Sequence, residues 1–222
     1  MPKCALIYTG DIRSFSKKEN KENHFKYLIN PLLQQSNVDF FLHTYFHEDV
    51  NEVIDFLHPK VCVLEKRDEV GDVPDDWKVC EEIVHGSPQS IVPRLYYQLR
   101  KIKQASDLID NSYDFIAKVR FDITFGRELN FNLEEMKDKI YIPYNMDGNP
   151  DPRYGIVDTF AFGNYKDMKH YCNFFNDAVK HANTRNDFYT ELLLKDHLEG
   201  INIIRGECEW HIDNTMGKSP RI

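Results

Sequence analysis

The sequence predicts an α/β fold in one domain, with a mainly parallel central sheet flanked by helices. Apolar segments of strand length alternate with amphipathic segments of helix length over the first half of the chain, which is typical of parallel β-α-β units. The 222 residues, of which 41% are hydrophobic and 13% aromatic, provide a sizeable core. No repeat or low-complexity linker divides the chain. We therefore expect residues 1–222 to form one domain, which could be one module of a longer protein.

Short apolar runs predict the strands, because such runs bounded by turn residues are typical of buried strands. The first run is followed by Gly10, a residue that favours a tight turn. The charged residues Arg120 and Asp122 interrupt the fourth run, most of which reads as a buried strand. The predicted strands cover residues 4–9, 38–45, 60–65, 117–125, 139–145, 157–164 and 201–207.

Amphipathic segments predict the helices between these strands. Pro59 stops the second helix, Pro93 lies near the start of the third, and Gly200 ends the last in the manner of a C-terminal cap. The predicted helices cover residues 16–33, 49–59, 90–110, 165–182 and 187–200. The polar stretches 66–89 and 146–155 are rich in glycine and proline and are predicted to be mostly loop.

Composition disfavours several classes of function. The net charge is -8 and the pI is about 5.6, so a polynucleotide partner is not expected. No segment approaches the ~20 apolar residues of a membrane span, and the start MPKCALIYTG lacks the features of a signal peptide. The five cysteines form no C-x-x-C pair, which argues against a disulfide framework and a zinc site. We expect a cytoplasmic protein with reduced cysteines.

Two charges stand out within the predicted strand 117–125. Arg120 and Asp122 are two positions apart, so their side chains should point to the same face. In parallel α/β sheets, ligands bind at the carboxyl ends of the strands. An aspartate there can hold a divalent cation, and an arginine can face a diphosphate. A buried ion pair with only an architectural role explains the residue types equally well.

Three segments resemble glycosyltransferases of the GT-A type, of the small kind found in large algal viruses (chloroviruses) and in bacterial surface-glycan loci. They are ALIYTGDIRSF (5–15), YDFIAKVRFDITF (113–125) and VDTFAFGNYKDM (157–168). The resemblance implies a GT-A-like, Rossmann-like fold. It also implies transfer of a sugar from a nucleoside diphosphate donor to a hydroxyl of a glycan, in the cytoplasm of the host if the protein is viral.

The resemblance implies a divalent metal, Mn²⁺ or Mg²⁺, with one departure from the family motif. The D-x-D motif needs an acid at both ends, and this chain has Arg120 at the first position and Asp122 at the last. Asp122 is then the expected metal ligand, and Arg120 could supply positive charge itself. His211, after the last predicted strand, is the expected second ligand, with His43 and His47 as weaker rivals.

The nucleotide of a UDP-sugar donor is expected at the end of the first strand. Thr9 and Gly10 would flank the base and ribose, and Arg13 would reach the diphosphate. Arg94, Gln98 and Lys101 are spaced to share one helix face, and Arg94 is the first candidate for a phosphate contact. A plain turn and a solvated helix face are the alternative interpretations.

An inverting transferase needs a carboxylate base near the acceptor hydroxyl. Asp158 is the best candidate for it, with Asp151 in reserve. An aspartate that merely ends a turn, and a retaining mechanism that needs no base, are the alternatives.

Two other functions stay open at this point. A metal-dependent phosphoesterase or nucleotidyltransferase would use Asp122 and His211, although two-metal versions need several clustered acids. A non-catalytic module that binds nucleotide-sugar or glycan would keep Thr9, Gly10 and Arg13 and lack a placed base.

Overall fold

A seven-stranded sheet lies at the centre of the protein in the computed structural model, which describes residues 1–80, 91–129, 132–144, 155–206 and 210–212. For residues 68, 91 and 210–212 the backbone alone is described. Within these ranges the chain forms nine strands: β1 Lys3–Gly10, β2 Asn37–Tyr45, β3 Val61–Glu65, β4 Phe115–Arg120, β5 Ile123–Phe125, β6 Ile140–Pro143, β7 Phe160–Asn164, β8 Ile203–Gly206 and β9 Trp210–Ile212.

The order of the large sheet is β3-β2-β1-β4-β7-β6-β8. β1 pairs in parallel with β2 and β4, β2 pairs in parallel with β3, and β6 pairs in parallel with β8. β7 pairs antiparallel with both of its neighbours, β4 and β6. The predicted α/β fold with a mainly parallel sheet is therefore confirmed.

The helices lie close to their predicted positions: α1 Lys18–His24, α2 Asn30–Leu33, α3 Val50–Leu57, α4 Asp75–Lys78, α5 Ile91–Asp107, α6 Tyr165–Cys172, α7 Phe174–Arg185 and α8 Thr190–His197. A π-helical turn, Phe25–Ile29, joins α1 to α2. The predicted helix 165–182 is in fact two helices, which meet at Asn173. α4 lies in a stretch predicted as loop. No helix within the described ranges is both long and apolar enough to cross a membrane.

The predicted strand 117–125 is wrong in one respect, because the chain leaves the large sheet after Arg120. It turns at Phe121 and Asp122, and β5 then pairs with β9 in a second, two-stranded sheet. Apolar side chains before and after the turn are buried, so the alternation of a strand continues across it and hides the break. β9 was not predicted; it has only three residues in a polar stretch.

The order of the strands creates a crevice between β1 and β4. The chain runs from β1 to β2 and β3 on one side of β1, and β4 lies on the other side, so the topology switches direction there. Thr9 at the end of β1 pairs in register with Arg120 at the end of β4. Gly10 closes β1 with a φ of 100°, a conformation that side-chain-bearing residues rarely adopt. Ligands bind at such switch points in open α/β sheets.

Candidate active site

A cleft of about 200 Å³ occupies this switch point. Its walls come from the carboxyl ends of β1, β2 and β4, from the turn after β1, from the segment after β3 and from one face of α5. The lining residues are Thr9, Gly10, Asp11, Arg13, Tyr45, Arg67, Arg94, Tyr97, Gln98, Lys101, Arg120 and Asp122. The structure thus brings together the predicted residues Thr9, Gly10, Arg13, Arg94, Arg120 and Asp122 in one site.

The cleft is basic although the protein is acidic. Five basic and two acidic side chains line it, whereas the whole chain has a net charge of -8. Arg67 is paired with Asp11, and Arg13 and Arg120 share Asp122. Among the described residues Arg94 has no acidic partner, so the excess positive charge is available to an anion.

Asp122 is held by two guanidinium groups at the base of the cleft. Its Oδ1 accepts a hydrogen bond from Arg120 Nε at 2.8 Å, and its Oδ2 accepts one from Arg120 Nη2 at 2.6 Å. Arg13 Nη1 also donates to Oδ2. Burial of the carboxyl group opposes ionisation, but the hydrogen bonds and charge of Arg120 and the charge of Arg13 outweigh it, and the pKa of Asp122 is lowered. Asp122 is therefore an ionised carboxylate that orients two arginines.

Arg13 reaches Asp122 from a strained backbone. Its φ is 48°, in the left-handed region that non-glycine residues adopt at a cost. It begins a short 3-10 turn, Arg13–Ser16, in which Ser14 and Phe15 are buried. The side chain keeps 29% exposure on the cleft side. Strain at a residue that lines a cleft is consistent with a functional position.

The predicted face of α5 does point into the cleft. Arg94, Gln98 and Lys101 all line it, as their spacing indicated. Lys101 is 1% exposed, donates a hydrogen bond to Glu65 at the end of β3, and lies 3.7 Å from the ring centroid of Tyr45. Burial lowers the pKa of Lys101 although Glu65 raises it.

Asp158 does not line the cleft itself but contacts Gln98, which does. The amide of Gln98, which lines the cleft, donates a hydrogen bond to the Asp158 carboxylate. Lys118 Nζ, on the fully buried side chain of a β4 residue, donates to the Asp158 backbone carbonyl. The pKa of Lys118 is lowered to about 8, chiefly because the side chain is buried. Two side chains thus fix the backbone and the carboxylate of the predicted base.

Two other predicted residues, His43 and His47, do not line the cleft. Asp151 lies outside the described residues. For His211 only the backbone is described, and it pairs with Thr124, two residues after Asp122. His43 is buried, with Nε2 3.2 Å from Glu65 Oε1, and His47 is 3.7 Å from Asp49 near the surface. Each of the two rival histidines thus lies beside an acidic residue that does not line the cleft.

Sequence reasoning missed several members of the site. Asp11, Tyr45, Arg67 and Tyr97 line the cleft without having been predicted. Asp11 directly follows Gly10 and Tyr45 ends β2, so the strand-end rule that selected Thr9 could have found both. Arg67 follows β3 by two residues and its guanidinium lies 4.5 Å from the ring centroid of Tyr45, a contact that no sequence pattern indicates.

The described acids of the cleft do not suit a divalent cation. Both oxygens of Asp122 accept hydrogen bonds from guanidinium groups, and Asp11 is paired with Arg67. Across the part of the chain that the structure describes, no group of three or more His, Cys, Asp or Glu side chains is placed to hold a metal. A cation at Asp122 would have to displace Arg120 or Arg13 and would then lie beside positive charge.

A scan against protein-family models finds no match to this sequence, and a comparison with curated proteins finds none either. Solved structures do match. One is core-mannan synthase A from Aspergillus fumigatus, in its Mn/GDP form, with a TM-score of 0.53 and 9% sequence identity. The match covers 95% of this chain and 74% of that chain. At this identity the likeness concerns the fold, and the fold agrees with the GT-A-like architecture that the resemblance implies.

Proposed function

We propose that the protein is a glycosyltransferase that transfers a sugar from a nucleoside diphosphate donor, a UDP-sugar in the first instance, to a hydroxyl of a glycan. The observation that carries the proposal is the basic cleft at the topological switch point of an acidic protein. The fold of core-mannan synthase A supports it, since that protein was crystallised in an Mn/GDP form. The sequence resemblance points to the same class of enzyme.

Each role in the proposed reaction falls to a residue of the cleft or its wall. Breaking the bond between sugar and phosphate leaves negative charge on the departing diphosphate. Arg13 and Arg120 are held in place by Asp122 before a ligand arrives, so they can stabilise this charge without reorganising. Asp158 would accept the proton of the acceptor hydroxyl. Thr9 and Gly10, at the end of β1, would flank the ribose and base.

Binding and turnover together test this proposal. Calorimetric titration with UDP and GDP measures binding, and release of UDP or GDP from a panel of sugar nucleotides measures turnover. Arg120→Gln should weaken nucleotide binding and slow turnover, whereas Lys180→Gln, on the exposed surface of α7, should change neither. Turnover of bis(p-nitrophenyl) phosphate without turnover of any sugar nucleotide would favour the phosphoesterase alternative.

A second candidate is a module that binds a nucleotide without transferring a sugar. The position of Asp158 favours it, because the carboxylate lies behind Gln98 and does not line the cleft. Tight UDP or GDP binding, without release of nucleotide from any sugar nucleotide in the presence of glycan acceptors, would identify such a module.

We place the protein in the cytoplasm, in keeping with the free cysteines among the described residues.

A further inference from the structure

Arg13, Arg120 and Asp122 form a preassembled trio with a net positive charge. Arg120 uses Nε and Nη2 for its two bonds to Asp122, and Arg13 uses Nη1. A guanidinium group carries further N–H donors in the same plane, and both arginines line the cleft. The two guanidinium groups therefore have further N–H donors for a ligand, while both carboxylate oxygens of Asp122 already accept hydrogen bonds.

The carboxylate of Asp122 is poorly suited to give up its hydrogen bonds with the two arginines. Its side chain is 3% exposed, and those of Arg13 and Arg120 are 29% and 20% exposed. Freeing a carboxylate oxygen for a cation would break charge-assisted hydrogen bonds in a half-buried place and leave a guanidinium without its counter-ion. The Coulomb repulsion between a divalent cation and the two arginines would oppose its binding further.

The surrounding charges favour a dianionic ligand over a cation. Arg94 adds a positive charge on the α5 side of the cleft, where no acid within the described ranges neutralises it. Lys101, on the same face of α5, and Arg67, which follows β3, both lie next to Tyr45. The second acid of the cleft, Asp11, is held by Arg67.

We propose that Arg13 and Arg120 bind the diphosphate of the donor directly, so that nucleoside diphosphate binding requires no divalent metal. Asp122 then acts as a positioning residue that orients both guanidinium groups, and it is not a metal ligand. The positive charge that the GT-A resemblance assigns to a metal comes instead from the arginine at the first position of the motif. This inference rests on the proposed function, because it names how that same site holds its donor.

The test is calorimetric titration of the whole protein with UDP and with GDP, once in EDTA and once in manganese chloride. We expect dissociation constants that agree within about threefold between the two conditions. Arg120→Gln should weaken binding in EDTA by about tenfold or more, since it removes charge-assisted contacts to phosphate. Arg120→Lys, which keeps a positive charge beside Asp122, should weaken it less. Thermal unfolding checks that each variant folds, and Lys180→Gln is the control for lost charge.

Each other outcome has a definite meaning. Binding that appears only with manganese, or that manganese tightens tenfold or more, would overturn the metal-free inference and leave the proposed transferase intact. An unchanged dissociation constant for a folded Arg120→Gln variant in EDTA would overturn it as well. No binding of either nucleotide in either condition would remove this inference together with the proposed function.

Discussion

The side-chain amide of Gln98 donates a hydrogen bond to the carboxylate of Asp158, and Gln98 itself lines the basic cleft. One side chain therefore connects the proposed donor site to the proposed base. This arrangement holds the carboxylate in a fixed direction from a long helix. It also shields the carboxylate from the cleft, so Gln98 has to move, or the acceptor has to enter beside it, for the base to work.

Asp158→Asn is expected to slow sugar transfer by about 10²–10⁴-fold, because the amide cannot accept the proton of the acceptor. The dissociation constant of UDP should change little, since Asp158 does not line the cleft. Single-turnover kinetics and calorimetry measure the two effects separately. A variant that keeps full activity would point to another acid. Glu191 is the next candidate, because its pKa is raised, mainly by burial and also by the charge of Asp158.

Lys118→Met is expected to stabilise the fold near pH 7. The fully buried lysine has its pKa lowered from 10.5 to about 8, so its charged form is disfavoured in the folded state. Between about pH 8 and 10.5 the unfolded chain binds more protons at this residue, and its unfavourable contribution fades as the pH rises. The advantage of the variant should therefore shrink by up to about 3 kcal/mol across that window.

Urea unfolding of both proteins at several pH values measures this change, with Lys180→Met as the matched surface control. An advantage that stays constant with pH would show that Lys118 does not titrate in that window. Transfer activity should nevertheless fall in Lys118→Met, because the Asp158 carbonyl loses its donor.

His24 is expected to make the protein acid-sensitive. Burial lowers its pKa from 6.5 to about 4, and the ring lies between the Tyr8 hydroxyl and the Ile123 carbonyl. Because the unfolded state takes up the proton first, stability should fall as the pH drops from 6.5 to 4, by up to about 3 kcal/mol. Chemical unfolding of the wild type and of His24→Asn over this range measures it. An equal pH slope in the two proteins would assign the loss to other groups.

Substitutions at Arg13 can separate backbone strain from side-chain function. Arg13→Gly should be more stable than Arg13→Ala by about 1 kcal/mol, because only glycine adopts a φ of 48° without a steric cost. Both variants should bind UDP more weakly than the wild type. Denaturant unfolding gives the first comparison and calorimetry the second. Equal stability of the two variants would mean that residue 13 relaxes when its ion pair with Asp122 is lost.

The large sheet and most of its helices could be predicted because their signals are local. β1 is apolar in its central part, and every residue from Cys4 to Tyr8 is fully buried, as expected of a strand covered on both faces. The break after Arg120 could not be predicted, since the apolar residues Val119 and Ile123 are buried on either side of the turn. The division of the helix at Asn173 was not predicted for a similar reason, because apolar residues lie on both sides of the division.

The cleft was predicted in part. Strand-end positions identified Thr9, Gly10, Arg120 and Asp122, because the fold class alone places them at one edge. Lys118 escaped, since a lysine in a strand is ordinarily taken to point to solvent, and its burial depends on the later segment around Asp158. The sequence left open an ion pair between Arg120 and Asp122, but residue type does not reveal the further hydrogen bond from Arg13, because that depends on the strained turn at Arg13.

The contrast between a basic cleft and an acidic exterior also governs how fast a ligand arrives. The net charge of -8 repels small anions at long range, while the basic side chains of the cleft attract them to one place. The association rate constant of a nucleoside diphosphate should therefore fall steeply with added salt, whereas its dissociation rate constant should change much less. The same contrast should favour short anionic ligands over long ones. A short dianion fits within the basic cleft, whereas a long polyanion would extend beyond it and be repelled by the net negative charge of the protein.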